Sequence, residues 1–336
     1  MSIENRKWIL KERPQGLVKD SDFELVTETL PPIQEGEILL ENMYLSFDPT
    51  QRGWLNDVPG YLPPVQIGEV VRSGGMGRVI ESKNPEYNVG DLTFGFVGWQ
   101  SHCVTKAEED DRFRVIPELL PIPTMLNVMG TTGITAYYGL IELGNPQPGE
   151  TVLVSGAAGA TGSVVVQIAK LKGCHVIGIA GGQEKCDWLK ELGVDQVIDY
   201  KNSDVHEELP KIAKNGIDIY FDNVGGPVLN AMLPAMKVYG RIVGCGMISD
   251  YNRTDNPNPI TNLWEMVSRQ LTMQGFLLPT YQAKVPAAMA QLEEWIRAGK
   301  INVIENITQG FANTPKAFCD LMSGKTVGKA LVKIDL

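Results

Sequence analysis

In the stretch Val152-Leu-Val-Ser155-Gly156-Ala-Ala-Gly159-Ala-Thr-Gly162-Ser163, an apolar strand-like run feeds straight into closely spaced small residues. An apolar segment follows at once, Val164-Val-Val-Gln167-Ile-Ala-Lys170-Leu, which can continue as a helix. Strand, glycine turn and helix in this order are what a dinucleotide pyrophosphate requires. Small residues let the backbone approach the phosphates and let helix and strand pack closely. The helix N-terminus then presents unpaired N–H groups and a positive dipole end to the anion.

Glycines alone are a weak signal, so the surroundings decide. The next strand, His175-Val-Ile-Gly-Ile-Ala180, ends about where an NAD-binding chain would carry an acidic residue for the ribose hydroxyls. None stands there. The strand runs into Gly181-Gly182 and then Lys185, and Tyr200 follows the next short strand. A carboxylate would repel a 2′-phosphate, whereas a lysine attracts one as a point charge. The reading is an NADP(H) site, the alternative being that Lys185 is a solvated residue on the first turn of a helix.

At 336 residues the chain exceeds a usual single domain, so two are expected. Apolar residues make up 43% and charged residues 21%, ordinary for a globular enzyme. The net charge is −10 with no block of Lys or Arg, which argues against nucleic acid or an anionic membrane as partner. Cys103, Cys174, Cys186, Cys245 and Cys319 are dispersed without CxxC spacing and read as reduced thiols of a cytoplasmic protein. Neither a signal-peptide h-region nor an apolar run of transmembrane length is present in the sequence.

Residues 1–125 show short apolar runs broken by Pro and Gly: Glu37–Tyr44, Ile67–Val71, Gly77–Ile80 and Asp91–Phe94. These predict short strands of a compact antiparallel β-barrel-like domain, with a turn at Asn88-Val-Gly-Asp91 and a linker from Pro117 to Pro123. From residue 126 to 309 strand and helix alternate. The strands after the glycine run are His175–Ala180, Gln196–Asp199, Ile217–Phe221, Gly240–Cys245 and Leu271–Leu277. The helices are Gln183–Leu192, Asp204–Lys214, Val228–Met236, one near Ile260–Arg269, and Gln282–Ala298. Six strands with intervening helices predict an α/β fold with a doubly wound parallel sheet of Rossmann type. The tail, 310–336, ends in Gly328–Ile334, a strand predicted to return to the first domain.

This layout resembles the medium-chain dehydrogenase/reductases over essentially the whole chain, with a GroES-like N-terminal domain completed by the tail. Within them it is similar to the zinc-independent alkenal/one oxidoreductases, a branch that includes leukotriene/prostaglandin reductases, plant double-bond reductases and bacterial curcumin-type reductases. The segments that carry the resemblance are Asp48-Pro-Thr-Gln-Arg52, Gly130-Thr-Thr-Gly-Ile-Thr-Ala-Tyr137, the Gly159/Gly162 loop, Phe221-Asp-Asn-Val-Gly-Gly226 and Cys245-Gly-Met-Ile-Ser-Asp-Tyr-Asn-Arg253. Where zinc-dependent relatives carry Gly-His-Glu, this chain has Ile67-Gly68-Glu69 preceded by Gln66, and the structural four-cysteine lobe is missing. His102-Cys103 is the one tempting ligand pair, and two adjacent ligands do not build a tetrahedral site. Without a Lewis acid, the chemistry shifts to an acceptor already activated by conjugation, an α,β-unsaturated ketone or aldehyde.

The resemblance implies roles residue by residue. Gly159, Ala160, Thr161, Gly162 and Ser163 would hold the pyrophosphate, with Thr135 near it or the nicotinamide. Gly181, Lys185 and Tyr200 would meet the 2′-phosphate. Asn223 and the loop Cys245, Gly246, Met247, Ile248, Ser249 and Tyr251 would line the nicotinamide ribose, and Phe276, Leu277 and Leu278 would pair with the carboxamide through their backbone. Tyr251 is the catalytic candidate, hydrogen-bonding the enolate oxygen, the alternative being a loop tyrosine that only packs on cofactor. Two departures are evident: Thr326 stands where many relatives have asparagine, and Asp48-Pro-Thr-Gln-Arg52 replaces Asp-Pro-Tyr-Met-Arg. Arg52 would meet a substrate carboxylate or, equally, form a structural ion pair. The apolar sixth strand needs covering, and the family's pairing of such edges across a two-fold axis implies a homodimer. A quinone oxidoreductase, or a silent NADPH-binding scaffold on the same fold, is the competing reading.

Overall fold

A computed structural model describes residues 3–58, 60–107, 113–253 and 257–335. The chain forms two compact units. One holds the residues up to Leu126, Glu305–Thr326 and the segment from Ala330; the other holds Asn127–Ile304 and Val327–Lys329.

The second unit is built on the strands β1 (Thr151–Ser155), β2 (His175–Ala180), β3 (Gln196–Asp199), β4 (Ile217–Asp222), β5 (Met236–Gly244) and β6 (Thr272–Gly275). Among the described residues they form one sheet in the order β3-β2-β1-β4-β5-β6, every pairing parallel. That is the doubly wound order, in which the direction of winding reverses between β1 and β4. Both faces of the central strands are covered, so Val152, Leu153, Val154, Ile219, Tyr220 and Phe221 are all fully buried. This is why those strands read as continuous apolar runs and not as alternating ones. The helices α1 (Thr131–Tyr138), α2 (Ala160–Leu171), α3 (Gln183–Glu191), α4 (Val205–Ile212), α5 (Gly226–Met232), α6 (Ile248–Tyr251), α7 (Trp264–Ser268) and α8 (Val285–Arg297) connect or flank the strands.

The edge of this sheet differs from the sequence reading. Strand β6 is shorter than Leu271–Leu277, and all four of its residues are exposed. The chain leaves it for a 3-10 stretch, Leu278–Lys284, and α8 begins only at Val285, with Pro286 in its first turn, where a fixed φ is favourable. The helix expected near Ile260–Arg269 is cut to α7: residues 257–262, with Pro257 and Pro259, form no helix, and Asn262 bonds back to the Asn230 carbonyl.

The first unit carries an antiparallel sheet whose strands, in spatial order, are Glu305–Gln309, Lys329–Lys333, Ile38–Ser46, Gly74–Ser82, Leu92–Gly95 and Arg114–Val115, with His102–Thr105 also paired to Ile38–Ser46. A hairpin-like pair, Glu4–Leu10 with Phe23–Thr29, lies beside it in sequence. The tail returns to this unit as a core component: Phe318 packs edge-on against Phe47 and Trp99, with ring centroids 5.7 and 5.5 Å apart. The run Ile67–Val71 is not a strand. Glu69 accepts the Gln66 N–H and closes a turn there, Gly68 sits at φ +87°, and only an isolated bridge joins Ile9 to Val70. The Pro117–Pro123 stretch is less of a linker than expected, since Ile122–Leu126 is helical with Ile122, Met125 and Leu126 buried.

Candidate cofactor-binding and reduction site

The glycine run forms a tight cradle at the carboxyl end of β1. Gly156 adopts φ +58°, its carbonyl accepts the Gly159 N–H at 3.0 Å, and Ala157 donates to the Ile179 carbonyl of β2 at 2.9 Å. Gly159 caps α2, and Ser163 donates to its carbonyl at 2.9 Å. The N–H groups of the helix's first turn, on Ala160, Thr161 and Gly162, therefore have no intrahelical acceptor and are available to an anion. The close approach is enforced at Gly162, where a Cβ would lie 2.3 Å from the Gly156 oxygen and 2.8 Å from the Ala157 Cα. A segment far along the chain completes the cradle. Gly328 donates to the Ala158 carbonyl at 3.0 Å, in a parallel bridge to Gly159, and Lys329 donates to Ile304. Sequence reasoning missed both Gly156 as a shaping residue and this strap. Thr326, buried, falls in the other unit.

At the end of β2, Gly181 and Tyr200 meet. A Cβ on Gly181 would stand 2.7 Å from the Tyr200 ring carbons and 2.8 Å from its hydroxyl, so only glycine lets the ring lie there. Lys185 sits half-buried in the first turn of α3. Burial, and secondly Lys201, pull its ammonium below the usual lysine range. The structure also brings in a carboxylate that the sequence reading did not foresee. Asp199, the last residue of β3, accepts the N–H groups of Gly182 at 2.8 Å and Lys201 at 3.0 Å on Oδ1, and the Asn202 amide at 2.7 Å on Oδ2. The Gly182 bond above all holds its acidity below the usual carboxylate range. Its oxygens are engaged in shaping the turn that precedes Lys185.

The loops after β4 and β5 are laced together. Asn223 donates from its peptide N–H to the Ser155 hydroxyl at 3.0 Å and from its amide to the Ser155 carbonyl at 2.7 Å. Ile248 and Ser249 donate to the Asn223 and Val224 carbonyls, and the Ser249 hydroxyl adds a bond of 2.7 Å to Val224. Tyr251, at the end of the short α6, folds back over its own loop, and its hydroxyl accepts the Met247 N–H at 3.2 Å, above Gly246. A hydroxyl that accepts such a bond is polarised as a donor. Burial, then the Asp222 carboxylate, pushes the Cys245 thiol up to about 12, so this sulfur is a neutral thiol at physiological pH. Beyond β6, Phe276, Leu277, Thr280 and Tyr281 line a cavity of about 420 Å³ with Gln274 and Gly275, and Tyr281 stacks on Tyr138 with centroids 5.2 Å apart.

Within this unit the structure thus brings Gly159–Ser163, Gly181, Lys185, Tyr200, Asn223, Cys245–Tyr251 and Phe276–Leu278 to the carboxyl ends of one parallel sheet, where open α/β folds bind ligands. Thr135 lies half-buried on α1. Of the two readings of Arg52, the geometry supports the structural one. It is fully buried, and its guanidinium donates to the Pro14 and Gly16 carbonyls, each at 3.1 Å, and to Asn56 at 2.6 Å. Both Nη atoms are engaged within its own unit, as a structural residue's would be.

Comparisons place the chain among known proteins. Residues 6–112 match the family described as the N-terminal domain of oxidoreductase, and residues 160–294 that described as zinc-binding dehydrogenase. Among the described residues no three His, Cys, Asp or Glu side chains are grouped so as to hold a metal ion. The chain is 39% identical to the NADPH-dependent curcumin reductase of Escherichia coli (strain K12), over 98% of its length and 97% of that protein's. It is 40% identical to prostaglandin reductase 1 of Bos taurus, over 98% and 99%. The crystal structure of CurA in complex with NADPH from Vibrio vulnificus matches with a TM-score of 0.93 at 39% identity, covering 98% of this chain and 99% of that one.

Proposed function

The chain belongs to the medium-chain dehydrogenase/reductases, in their alkenal/one oxidoreductase branch, and on that premise we propose that it reduces the carbon–carbon double bond of α,β-unsaturated ketones and aldehydes with NADPH. The observation that carries this reading is the convergence of the glycine cradle, the Gly181–Lys185–Tyr200 group and the Tyr251 loop on one sheet edge.

The cradle tests the fit of the cofactor: Gly162 and Gly181 stand where any side chain would block close approach. In the proposed arrangement the first turn of α2 binds the pyrophosphate, and Lys185 with Tyr200 holds the 2′-phosphate. Asn223 and the backbone of Phe276–Leu278 orient the nicotinamide. When bound, NADPH would supply a hydride to the β-carbon of the conjugated acceptor and leave as NADP+, the α-carbon of the resulting enolate taking its proton from solvent. The Tyr251 hydroxyl donates to the enolate oxygen, a neutral donor placed where charge develops. The cavity beside Phe276 and Tyr281 supports room for an apolar arm of the acceptor.

The protein acts as a homodimer in this proposal, joined along β6. That strand is exposed along its length, and Val238, Tyr239, Leu263, Trp264, Val267 and Met273 present apolar surface around it. It works in the cytoplasm on small molecules, with neither nucleic acid nor membrane as partner, in keeping with the net charge of −10; among the described residues no helix is long and apolar enough to cross a membrane. The test is NADPH oxidation, followed by its near-ultraviolet absorbance, with small enones, an aryl dienone and a quinone, and NADH run in parallel. Enone turnover with NADPH far above NADH is the expected result. Turnover of the quinone alone would make it a quinone oxidoreductase, and NADPH binding with no turnover would favour the silent scaffold.

A further inference from the structure

One buried residue holds both loops that flank the proposed nicotinamide position, the first through its side chain and the second through its main-chain carbonyl, and the proposed function assigns it nothing. Asp222 ends β4 and is only 2% exposed. Its Oδ1 accepts the Tyr220 hydroxyl at 2.6 Å, the Ser155 hydroxyl at 3.0 Å, and the N–H groups of Val224 and Gly225, both at 2.9 Å. Its main-chain carbonyl accepts the N–H groups of Cys245 at 2.8 Å and Gly246 at 3.1 Å. Two of the four donors on Oδ1 are peptide N–H groups, which can only donate, so the position needs an acceptor, and an ionised carboxylate is the stronger acceptor for so many donors.

A network that merely ended a strand would need no such reach. The two peptide donors belong to the turn that begins with Asn223, whose amide is fixed in turn on the Ser155 carbonyl. The donors to the carbonyl open the loop that carries Tyr251, whose hydroxyl rests on that same loop at Met247. We propose that Asp222 is a positioning residue for the reduction, setting Asn223 and Tyr251 in the one register in which they serve cofactor and substrate. The inference rests on the function proposed above and adds to it a residue that touches neither ligand.

Asp222→Asn keeps the shape, removes the charge and turns one acceptor oxygen into a donor. With NADPH and an enone, kcat falls about 10- to 100-fold while KM for the enone stays within about threefold, the pattern of a misplaced reacting group. The emission of bound NADPH shifts as its nicotinamide surroundings change. Tyr220→Phe is the control. It removes the shortest bond to the same oxygen and a 3.0 Å bond to the Ser155 hydroxyl, but touches no residue of either loop, so it lowers the melting temperature and leaves kcat and emission as in the parent. Should Asp222→Asn not fold, Ser155→Ala serves, since Ser155 bonds both Asp222 and the Asn223 N–H; it also lowers kcat with KM unchanged. Unchanged kcat in the folded Asp222 or Ser155 variant, or an equal loss in Tyr220→Phe, overturns the proposal. If the parent reduces no enone, the functional reading fails by itself, and NADPH emission still decides on Asp222: a shift confined to Asp222→Asn supports its role, and no shift overturns it.

Discussion

Replacing Gly162 by alanine puts one methyl group where the cradle has no room. It would stand 2.3 Å from the Gly156 oxygen and 2.8 Å from the Ala157 Cα, about 1 Å inside van der Waals contact. Both neighbours are main chain, so no side chain can swing aside. Helix α2 cannot withdraw easily either, because Val164, Val165, Val166, Ile168 and Ala169 are buried to within 1%. Overpacking of this kind costs about 1–3 kcal/mol, against a gain of about 0.5–1 kcal/mol for alanine over glycine in a helix. A net loss of about 1–2 kcal/mol lowers the melting temperature by about 2–8 °C for a unit of this size. The larger effect falls on NADPH. Displacing the first turn of α2 so that one N–H bond to phosphate is lost costs about 1.5–3 kcal/mol, or roughly a 10- to 150-fold weaker Kd. Thermal denaturation and fluorescence titration with NADPH read both. Gly53→Ala, also helical but where the added methyl group meets nothing within 4 Å, is the control and should melt at or slightly above the parent. A Gly162→Ala protein that melts and binds NADPH like the parent would refute the close-packing argument.

Four further outcomes follow from the same geometry. Lys185→Ala should weaken NADPH about 10- to 100-fold and leave NADH unchanged, since only the former carries the 2′-phosphate; parallel titrations check the ratio. Tyr251→Phe removes the donor to the enolate oxygen and should lower kcat about 10- to 100-fold without weakening NADPH by as much, as steady-state and binding measurements would resolve. Arg52→Ala strands the Pro14 and Gly16 carbonyls and should cost about 2–4 kcal/mol in chemical denaturation, with KM for enones unchanged. The thiols make a pH prediction. Burial first of all raises Cys174 to about 11 and Cys245 and Cys319 to about 12, above an unfolded value of about 8.5. Above that value the unfolded chain binds fewer protons than the folded one, so stability falls with rising pH. The thiols' contribution is fully present below about 8.5 and lost as pH climbs towards 11–12, and melting temperatures across that range should show it, with alkylation of the three thiols slow at pH 7.

What could be read from the sequence was whatever depends on neighbours along the chain. The strand–glycine–helix order at Val152–Ser163 needs only local periodicity and small residues. Lys185 and Tyr200 stood out because each follows a strand end. The misses are residues whose partners come from elsewhere. Asp199 and Asp222 look like ordinary turn-formers at strand ends, and nothing nearby announces that one engages Gly182 and the other ties Val224 and Gly225 to Ser155. Arg52 drew a ligand reading because it closes a family segment, yet its acceptors are carbonyls at Pro14 and Gly16, which no side-chain pattern encodes. Ile67–Val71 has strand composition, but the turn closed by Glu69 overrides it.

The strap at Val327–Lys329 bears on how the protein is made and dissected. The bond from Gly328 to the Ala158 carbonyl joins positions separated by nearly the whole second unit, and contacts of such long sequence separation are slow to form because a large loop must close first. On the ribosome the cradle's own strand and helix emerge well before the strap, so the loop is finished post facto by a late arrival. The same contact defeats a cut at the visible boundary. A fragment spanning Asn127–Ile304 would contain the entire parallel sheet and every glycine of the Gly156–Gly162 turn, and would leave the Ala158 carbonyl without the Gly328 N–H.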